Sequence, residues 1–199
     1  MRHWIFSNRL GAALVFTLAY GLIYSLNNAL TGFLYLMPGA HLVHIPSGVK
    51  LLLVLVGGPA AALGIALVSV ASSLFFMFPG EVALSMALAT VNGAAPLWAR
   101  KLLANRSAGT ADLTRLTVVK FLQLGLLFAC LNTSLNQGVL YWGGMTDNFA
   151  GGLAVMFIGD LTGCYIVMLL VKAAGRLLNQ PTPNEENPHS RRTSDKNMS

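Results

Sequence analysis

Two ionisable side chains, Lys50 and Asp160, lie deep within long apolar stretches of the chain. Between Gly11 and Ala99 the only charged residues are Lys50 and Glu81, and between Phe121 and Val171 they are Asp147 and Asp160. Ionisable groups are costly to keep in a bilayer and usually mark a functional site there. The two residues therefore predict an intramembrane polar site, where an ammonium and a carboxylate pair with each other or bind a polar ligand.

The position of each charge in its helix limits what it does. Asp160 follows Ala150 by ten residues, which places it about 15 Å into the last predicted helix. A carboxylate at that depth must be protonated, paired or in contact with water. Lys50 lies only about 6 Å below Pro46, so its ammonium could simply extend to the outer interface. A direct pair would have to bridge about 9 Å of depth, which requires a tilted helix and a long side chain.

Side-chain amides in the same helices extend this candidate site. We predict that Asn92, Asn132 and Asn136 join Lys50 and Asp160 in binding a small ligand. Amides in lipid also hydrogen-bond between helices, so these residues could serve packing alone.

Enzyme and metal chemistry find little support in the sequence. His41 and His44 have a three-residue spacing, but Pro38, Gly39 and Pro46 surround them, which favours a loop, and no further ligand is evident nearby. We therefore predict no catalytic residue, no metal and no cofactor. Cys130 and Cys164 fall within apolar runs and are expected to pack as small hydrophobic residues.

The composition indicates the class of protein that positions these side chains. Of the 199 residues, 55% are hydrophobic and 10% charged, and the mean hydropathy is +0.63. The sequence therefore predicts an all-α, polytopic membrane protein whose natural solvent is the lipid bilayer. The net charge of +6 lies in short segments beside apolar runs rather than in one patch, so nucleic acid is not an expected partner.

Six transmembrane helices are predicted. They cover Leu10 to Leu26 with a continuation to Met37, Pro46 to Val56, Ala60 to Phe78, Val82 to Leu97, Val118 to Leu135, and Ala150 to Val171. The triplet Gly57-Gly58-Pro59 separates the second helix from the third, because Pro and paired Gly interrupt helices. The second helix is therefore short or broken, and one bent element is the alternative.

The basic residues predict that both termini are cytoplasmic. They form three groups: Arg2 and Arg9; Arg100, Lys101, Arg106, Arg115 and Lys120; Lys172 and Arg176. Six helices place all three groups on one side, as the positive-inside rule requires. Cleavage of the first segment as a signal peptide would leave five helices with the same internal C-terminus. Residues 1–178 form the predicted transmembrane domain, and the polar residues 179–199 are expected to be a disordered cytoplasmic tail.

Three segments resemble those of MASE1 bacterial membrane sensor domains. Ile45 to Gly58 is similar to that family's Pro-x-Gly segment with its apolar run, and Ala89 to Ala95 to its Gly-Asn helix, although Asn92 precedes Gly93 here. Phe157 to Gly163 resembles its Gly-Asp-x-x-Gly motif. The resemblance implies that Pro46, Gly48, Gly159 and Gly163 are motif backbone positions.

The resemblance further implies a sensor in the bacterial inner membrane, normally joined to a histidine kinase or a cyclic-di-nucleotide domain. This chain has fewer helices and carries no such domain, so a stand-alone sensor acting through a separate kinase or cyclase is expected. Residues 58–64 and the short loops also resemble the substrate-binding subunit of an energy-coupling-factor transporter, whose partner is a transporter module. A membrane scaffold subunit is the third alternative.

Overall fold

The computed structural model describes residues 9–31, 35–37, 40–106 and 118–178. The main elements are helices α1 (Arg9–Thr31), α2 (Ile45–Ser72), α3 (Val82–Arg106), α4 (Val118–Trp142) and α5 (Phe149–Leu178). A π-helical segment, Ser73–Met77, extends α2, and two short antiparallel strands, β1 (Tyr35–Met37) and β2 (Ala40–His41), lie between α1 and α2. The predicted tail and the N-terminal residues 1–8 lie outside the described residues.

Five helices in the described ranges are long and apolar enough to cross a membrane. Each has at least the roughly 20 residues that a bilayer requires. Their apolar side chains face outward as well as inward, as in the exposed stripe of α1, which consists of Leu10, Leu14, Leu18, Leu22, Leu26 and Leu30. The chain is therefore a multi-pass membrane protein.

The predicted count of six helices is not confirmed, because the predicted second and third helices form one continuous element, α2, and five helices qualify as spans in the described ranges. The predicted continuation of the first helix to Met37 is also wrong. The first helix ends at Thr31, and Tyr35–Met37 is a strand. Short apolar runs that contain an aromatic residue are compatible with either structure, so their periodicity does not decide between helix and strand.

The helix α2 is interrupted at Gly58, which has φ 55° and ψ −132°. Glycine adopts this conformation without the steric cost that a side chain would add. Pro59 follows and lacks the N–H that would continue the backbone ladder. The interruption divides α2 into a first arm, residues 45–57, and a second arm, residues 59–72.

The first arm runs antiparallel to α1. At its start, the backbone N–H of Ile45 donates to Asn27 Oδ1 at 3.3 Å. At its end, Gly57 lies directly against the ring of Phe16. Residue numbers thus rise along the arm as they fall along α1.

The second arm runs parallel to α1. Gly64 packs against the backbone of Phe16 and Thr17, and Val68 contacts Gly21 further along. Residue numbers now rise together in the two helices. The chain therefore reverses direction at Gly58, and the two arms form a helical hairpin.

The following turn at Gly80, which has φ 89°, leads into α3. The helix α3 returns antiparallel to the second arm, where Gly93 approaches the Ala62 carbonyl. Near its other end, Arg100 Nη1 donates to the Val54 carbonyl at 3.1 Å. A cation there compensates the negative end of the first arm.

Three clusters of buried apolar residues hold the helices together. The first joins α1 to both arms of α2, and the second joins the first arm to α3, α4 and α5. The third lies at the turn between α2 and α3, and we name it the outer cluster. It consists of Phe78, Leu84, Leu88 and Leu140.

The chain divides into two compact units, Met1–Met168 and Leu169–Ser199. The first contains the helical hairpin and the candidate site. The described part of the second is the last stretch of α5.

Candidate functional site

The Asp160 carboxylate accepts hydrogen bonds from three side chains. Ser47 Oγ donates to Oδ1 at 2.5 Å. Asn132 Nδ2 donates to Oδ2 at 2.6 Å, and Thr133 Oγ1 donates to the same oxygen at 3.4 Å. Asp160 is only 4% exposed. Each oxygen thus has a donor, which is what a buried carboxylate requires.

The Lys50 ammonium forms its hydrogen bond with an amide of a different helix. Lys50 Nζ donates to Asn92 Oδ1 at 2.5 Å, linking the first arm of α2 to α3. Lys50 is 3% exposed, so its ammonium stays within the protein and does not extend to the interface. Its hydrogen-bond acceptor in the described ranges is thus Asn92 and not Asp160.

Asn136 supports the residue that binds the carboxylate. Its Nδ2 donates to Asn132 Oδ1 at 3.0 Å and to the Asn132 carbonyl at 2.9 Å, one turn earlier in α4. The Asn132 amide is thereby held with its Nδ2 toward Asp160. The hydrogen bonds form a chain from Asn136 through Asn132 to Asp160 and Ser47.

The start of α2 lies against the middle of α5. The His44 N–H donates to the Gly159 carbonyl at 3.3 Å. Gly159 lies ten residues into α5, about 15 Å from its start. Ser47 belongs to the first turn of α2, so Asp160 lies beside a helix N-terminus, where the macrodipole stabilises a negative charge.

Two glycines permit this close approach. A Cβ at Gly48 would lie 2.5 Å from the Gly163 carbonyl, and a Cβ at Gly163 would overlap the His44 carbonyl. Gly48, Gly159 and Gly163 are therefore neighbours across the contact between α2 and α5, and Pro46 begins the same turn of α2. Two of the three segments noted for their resemblance to MASE1 domains, the first and the last, therefore meet in the structure.

These side chains border a cavity of about 80 Å³, which we name the polar cavity. Its polar lining consists of Tyr20, Tyr24, His44, Lys50, Ser69, Ser72, Ser73, Asn92, Asn132, Asn136 and Asp160. Its apolar lining consists of Met77, Phe78, Leu88, Leu140 and Met156. Three of these apolar residues belong to the outer cluster, so the cavity lies next to that cluster.

The structure brings all five predicted site residues together around the polar cavity. Whether they bind a ligand stays a prediction. The cavity is also lined by residues outside this set, because α1 contributes Tyr20 and Tyr24, and the second arm of α2 contributes Ser69 and Ser72.

Sequence reasoning did not single out the hydroxyl groups of the site. Ser47 is the unspecified residue between Pro46 and Gly48 and is not among the predicted site residues, although it donates to Asp160. The spacing of Ser69 and Ser73, four residues apart, places both on one helical face. Tyr20 and Tyr24 have the same spacing. This four-residue spacing of hydroxyl side chains in an apolar helix is the sequence pattern that could have identified them.

The two histidines differ in what the structure describes. The His44 ring lies edge-on to Tyr24, with centroids 6.4 Å apart, and lines the polar cavity. The His41 side chain lies outside the described residues. Within the described ranges, no three His, Cys, Asp or Glu residues form a group that could hold a metal ion. Cys164 is buried in the second apolar cluster, and Cys130 is exposed.

Comparison with protein-family models, with curated proteins and with solved structures gives no match to this chain. The resemblance to MASE1 domains therefore depends on the residues quoted above.

Proposed function

We propose that the chain is a non-enzymatic membrane sensor that binds a small polar ligand in the polar cavity and acts through a separate protein. The supporting observation is the pair of buried charges. Lys50 and Asp160 both border the cavity within the apolar bundle. Buried ionisable groups that face a cavity in a membrane protein mark ligand or ion sites. In a scaffold, apolar residues of similar volume would fill the same space without the free-energy cost of burying two charges.

The size of the polar cavity favours this role over that of a transporter subunit whose substrate is as large as a vitamin, and it does not bear on a transporter subunit for a metal ion. The cavity measures about 80 Å³, whereas sites for drug-sized ligands measure about 300–1,000 Å³. A ligand of a few non-hydrogen atoms fits without expansion of the bundle. Vitamin-sized ligands require the helices to separate.

The proposed membrane arrangement has six helical passes and both termini in the bacterial cytoplasm. The hairpin in α2 supports it, because the reversal at Gly58 makes the first arm a half-length pass. The start of this arm contacts Gly159, about halfway through a bilayer. A kinase or cyclase that lacks its own sensor is the partner that this arrangement suits.

A ligand screen with two variants tests the proposal. The purified protein is examined by native mass spectrometry for retained small molecules, and by thermal unfolding against small polar compounds. Asp160→Asn and Lys50→Met are each expected to change the binding affinity at least tenfold, while Ser85→Ala, which alters a buried hydroxyl outside the cavity, leaves it unchanged. Equal binding by all variants would place the ligand elsewhere. Absence of any bound small molecule, with unchanged recovery of a partner protein by the variants, would favour a scaffold.

A further inference from the structure

The two charges of the polar cavity differ in how completely their hydrogen bonds are satisfied. Asp160 accepts from Ser47, Asn132 and Thr133, so both of its oxygens are occupied. Lys50 carries three N–H donors, of which one is given to Asn92 and none to any other residue that the structure describes. The cavity therefore offers the ammonium, rather than the carboxylate, to an occupant.

A second group supports this inference independently. Ser73 lines the polar cavity and is 3% exposed. Its Oγ forms no hydrogen bond to any residue in the described ranges. A buried hydroxyl without a partner costs free energy, which an occupant with an acceptor oxygen would recover.

The N-terminus of α2 lies beside Asp160 and stabilises its negative charge. The Asp160 carboxylate therefore depends less on Lys50 as a counter-ion. Ser47 lies in the first turn of α2, and the positive end of the helix macrodipole faces the carboxylate there. Three neutral donors supply further stabilisation of the carboxylate. The positive charge of Lys50 is thus available to a second anion.

We propose that the occupant of the polar cavity carries a carboxylate, with Lys50 Nζ as its counter-ion and Ser73 Oγ as an additional donor. This inference depends on the proposed ligand-binding function and specifies its chemistry. A cavity of about 80 Å³ has room for a few water-sized groups. The class is therefore that of free short-chain monocarboxylic acids, from formate to lactate in size.

Acetate and acetamide are the matched probes, because they have nearly the same shape and differ in charge. Binding to the full-length protein in detergent is measured by isothermal titration calorimetry and by the shift in unfolding temperature. Methylammonium serves as the cationic probe. Acetate is expected to bind at least tenfold more tightly than acetamide, because it forms a charge-assisted bond with Lys50.

Three variants assign the contacts. Lys50→Met is expected to abolish acetate binding, and Ser73→Ala to weaken it about fivefold to tenfold, the effect of one lost hydrogen bond. Ser85→Ala is the matched control, because Ser85 is also a buried serine without a hydrogen-bond partner in the described ranges but does not line the cavity. If Lys50→Met does not fold, the comparison of acetate affinity between Ser73→Ala and Ser85→Ala still tests the inference.

The outcomes separate this inference from the proposed function. If acetamide binds as tightly as acetate, or if methylammonium binds preferentially, the inference that the ligand carries a carboxylate is wrong. The proposed function, binding of a small polar ligand, would still hold. Equal acetate binding by Ser73→Ala and the wild type would also overturn it. If none of the probes binds and no small molecule is retained on purification, the proposed function fails as well.

Discussion

At the scale of single residues, the site depends on matching donors to acceptors among buried side chains. Asp160 receives donors from two helices, while Lys50 reaches an acceptor on a third. In a low-dielectric interior these hydrogen bonds are stronger, and a missing partner is correspondingly costly. The site is therefore sensitive to isosteric changes that alter hydrogen bonding without altering volume.

Asp160→Asn is expected to destabilise the protein by about 3 kcal/mol, because it removes the negative charge near buried Lys50. It also presents an amide N–H₂ to the donors Ser47 or Asn132. The measurement is the free energy of unfolding in detergent, monitored by circular dichroism. Lys50→Met alone should be destabilising to a similar degree.

The double variant Asp160→Asn with Lys50→Met is the control for this prediction. If the two charges interact, it should be more stable than the sum of the single effects indicates, by about 1 kcal/mol or more. Strict additivity would contradict electrostatic coupling across the cavity.

The sequence predicted the charged and amide members of the site but not its hydroxyls. Charges and amides in apolar helices are rare enough to be noticed individually. Serine and tyrosine are common in membrane helices, so Ser47, Ser73 and Tyr20 carry no comparable signal. That Lys50 bonds to Asn92 rather than directly to Asp160 depends on helix rotation, which the sequence leaves open.

At the scale of helices, the turn at Gly58 determines where Lys50 lies. Without the reversal, the first arm would continue away from α1 and its contacts with α5 would be lost. We expect Gly58→Ala to destabilise the fold by about 1–3 kcal/mol, because φ 55° with ψ −132° is accessible essentially only to glycine. Thermal unfolding measures this change.

Gly138→Ala is the matched control for that substitution. Gly138 lies in the helix α4, and nothing is within 4 Å of the position of an added Cβ. Alanine there should stabilise the helix by about 0.5–1 kcal/mol. A loss of stability in this variant equal to that of Gly58→Ala would contradict a specific backbone requirement at the turn.

The contact between the first arm and α5 gives a second prediction at this scale. Gly163→Ala should displace the start of α2, because the added Cβ overlaps the His44 carbonyl. We expect a loss of about 1–3 kcal/mol together with weakened ligand binding, since Ser47 would move away from Asp160. Unchanged binding with reduced stability would show that the site tolerates a shift of the arm.

Helix positions were predictable because length and hydropathy specify them directly. The relative direction of the two arms of α2 was not predictable, because the triplet Gly57-Gly58-Pro59 is compatible with a break, a bend or a full reversal of the chain. The backbone conformation of Gly58, the packing of Gly57 against Phe16 and the hydrogen bond from Arg100 to the Val54 carbonyl decide between these outcomes. Those contacts join residues far apart in sequence.

At the scale of the whole molecule, the hairpin makes a prediction about sidedness. In the six-pass arrangement, Val56 lies near the cytoplasmic face and Glu81 on the outer face. If α2 instead crossed the membrane once as a single helix, Val56 would lie near the bilayer centre. Both residues are exposed on the protein surface, so each is suited to labelling.

Single cysteines at these positions, in a background with Cys130 and Cys164 replaced by alanine, test the arrangement. A membrane-impermeant maleimide should label Val56→Cys in inside-out vesicles and Glu81→Cys in right-side-out cells. Labelling of both variants from the same side would contradict the reversal. Absence of labelling at position 56 from either side would indicate a position within the lipid.

The half-length first arm also has a consequence for biosynthesis. Its 13 residues (45–57) are too few to cross the bilayer alone, and the carboxylate near its lysine is made 110 residues later, from position 50 to 160. At about 5–20 residues per second, translation leaves Lys50 without its counter-charge for roughly 5–20 s. The first arm therefore reaches its packed position against α5 only after α5 has been synthesised.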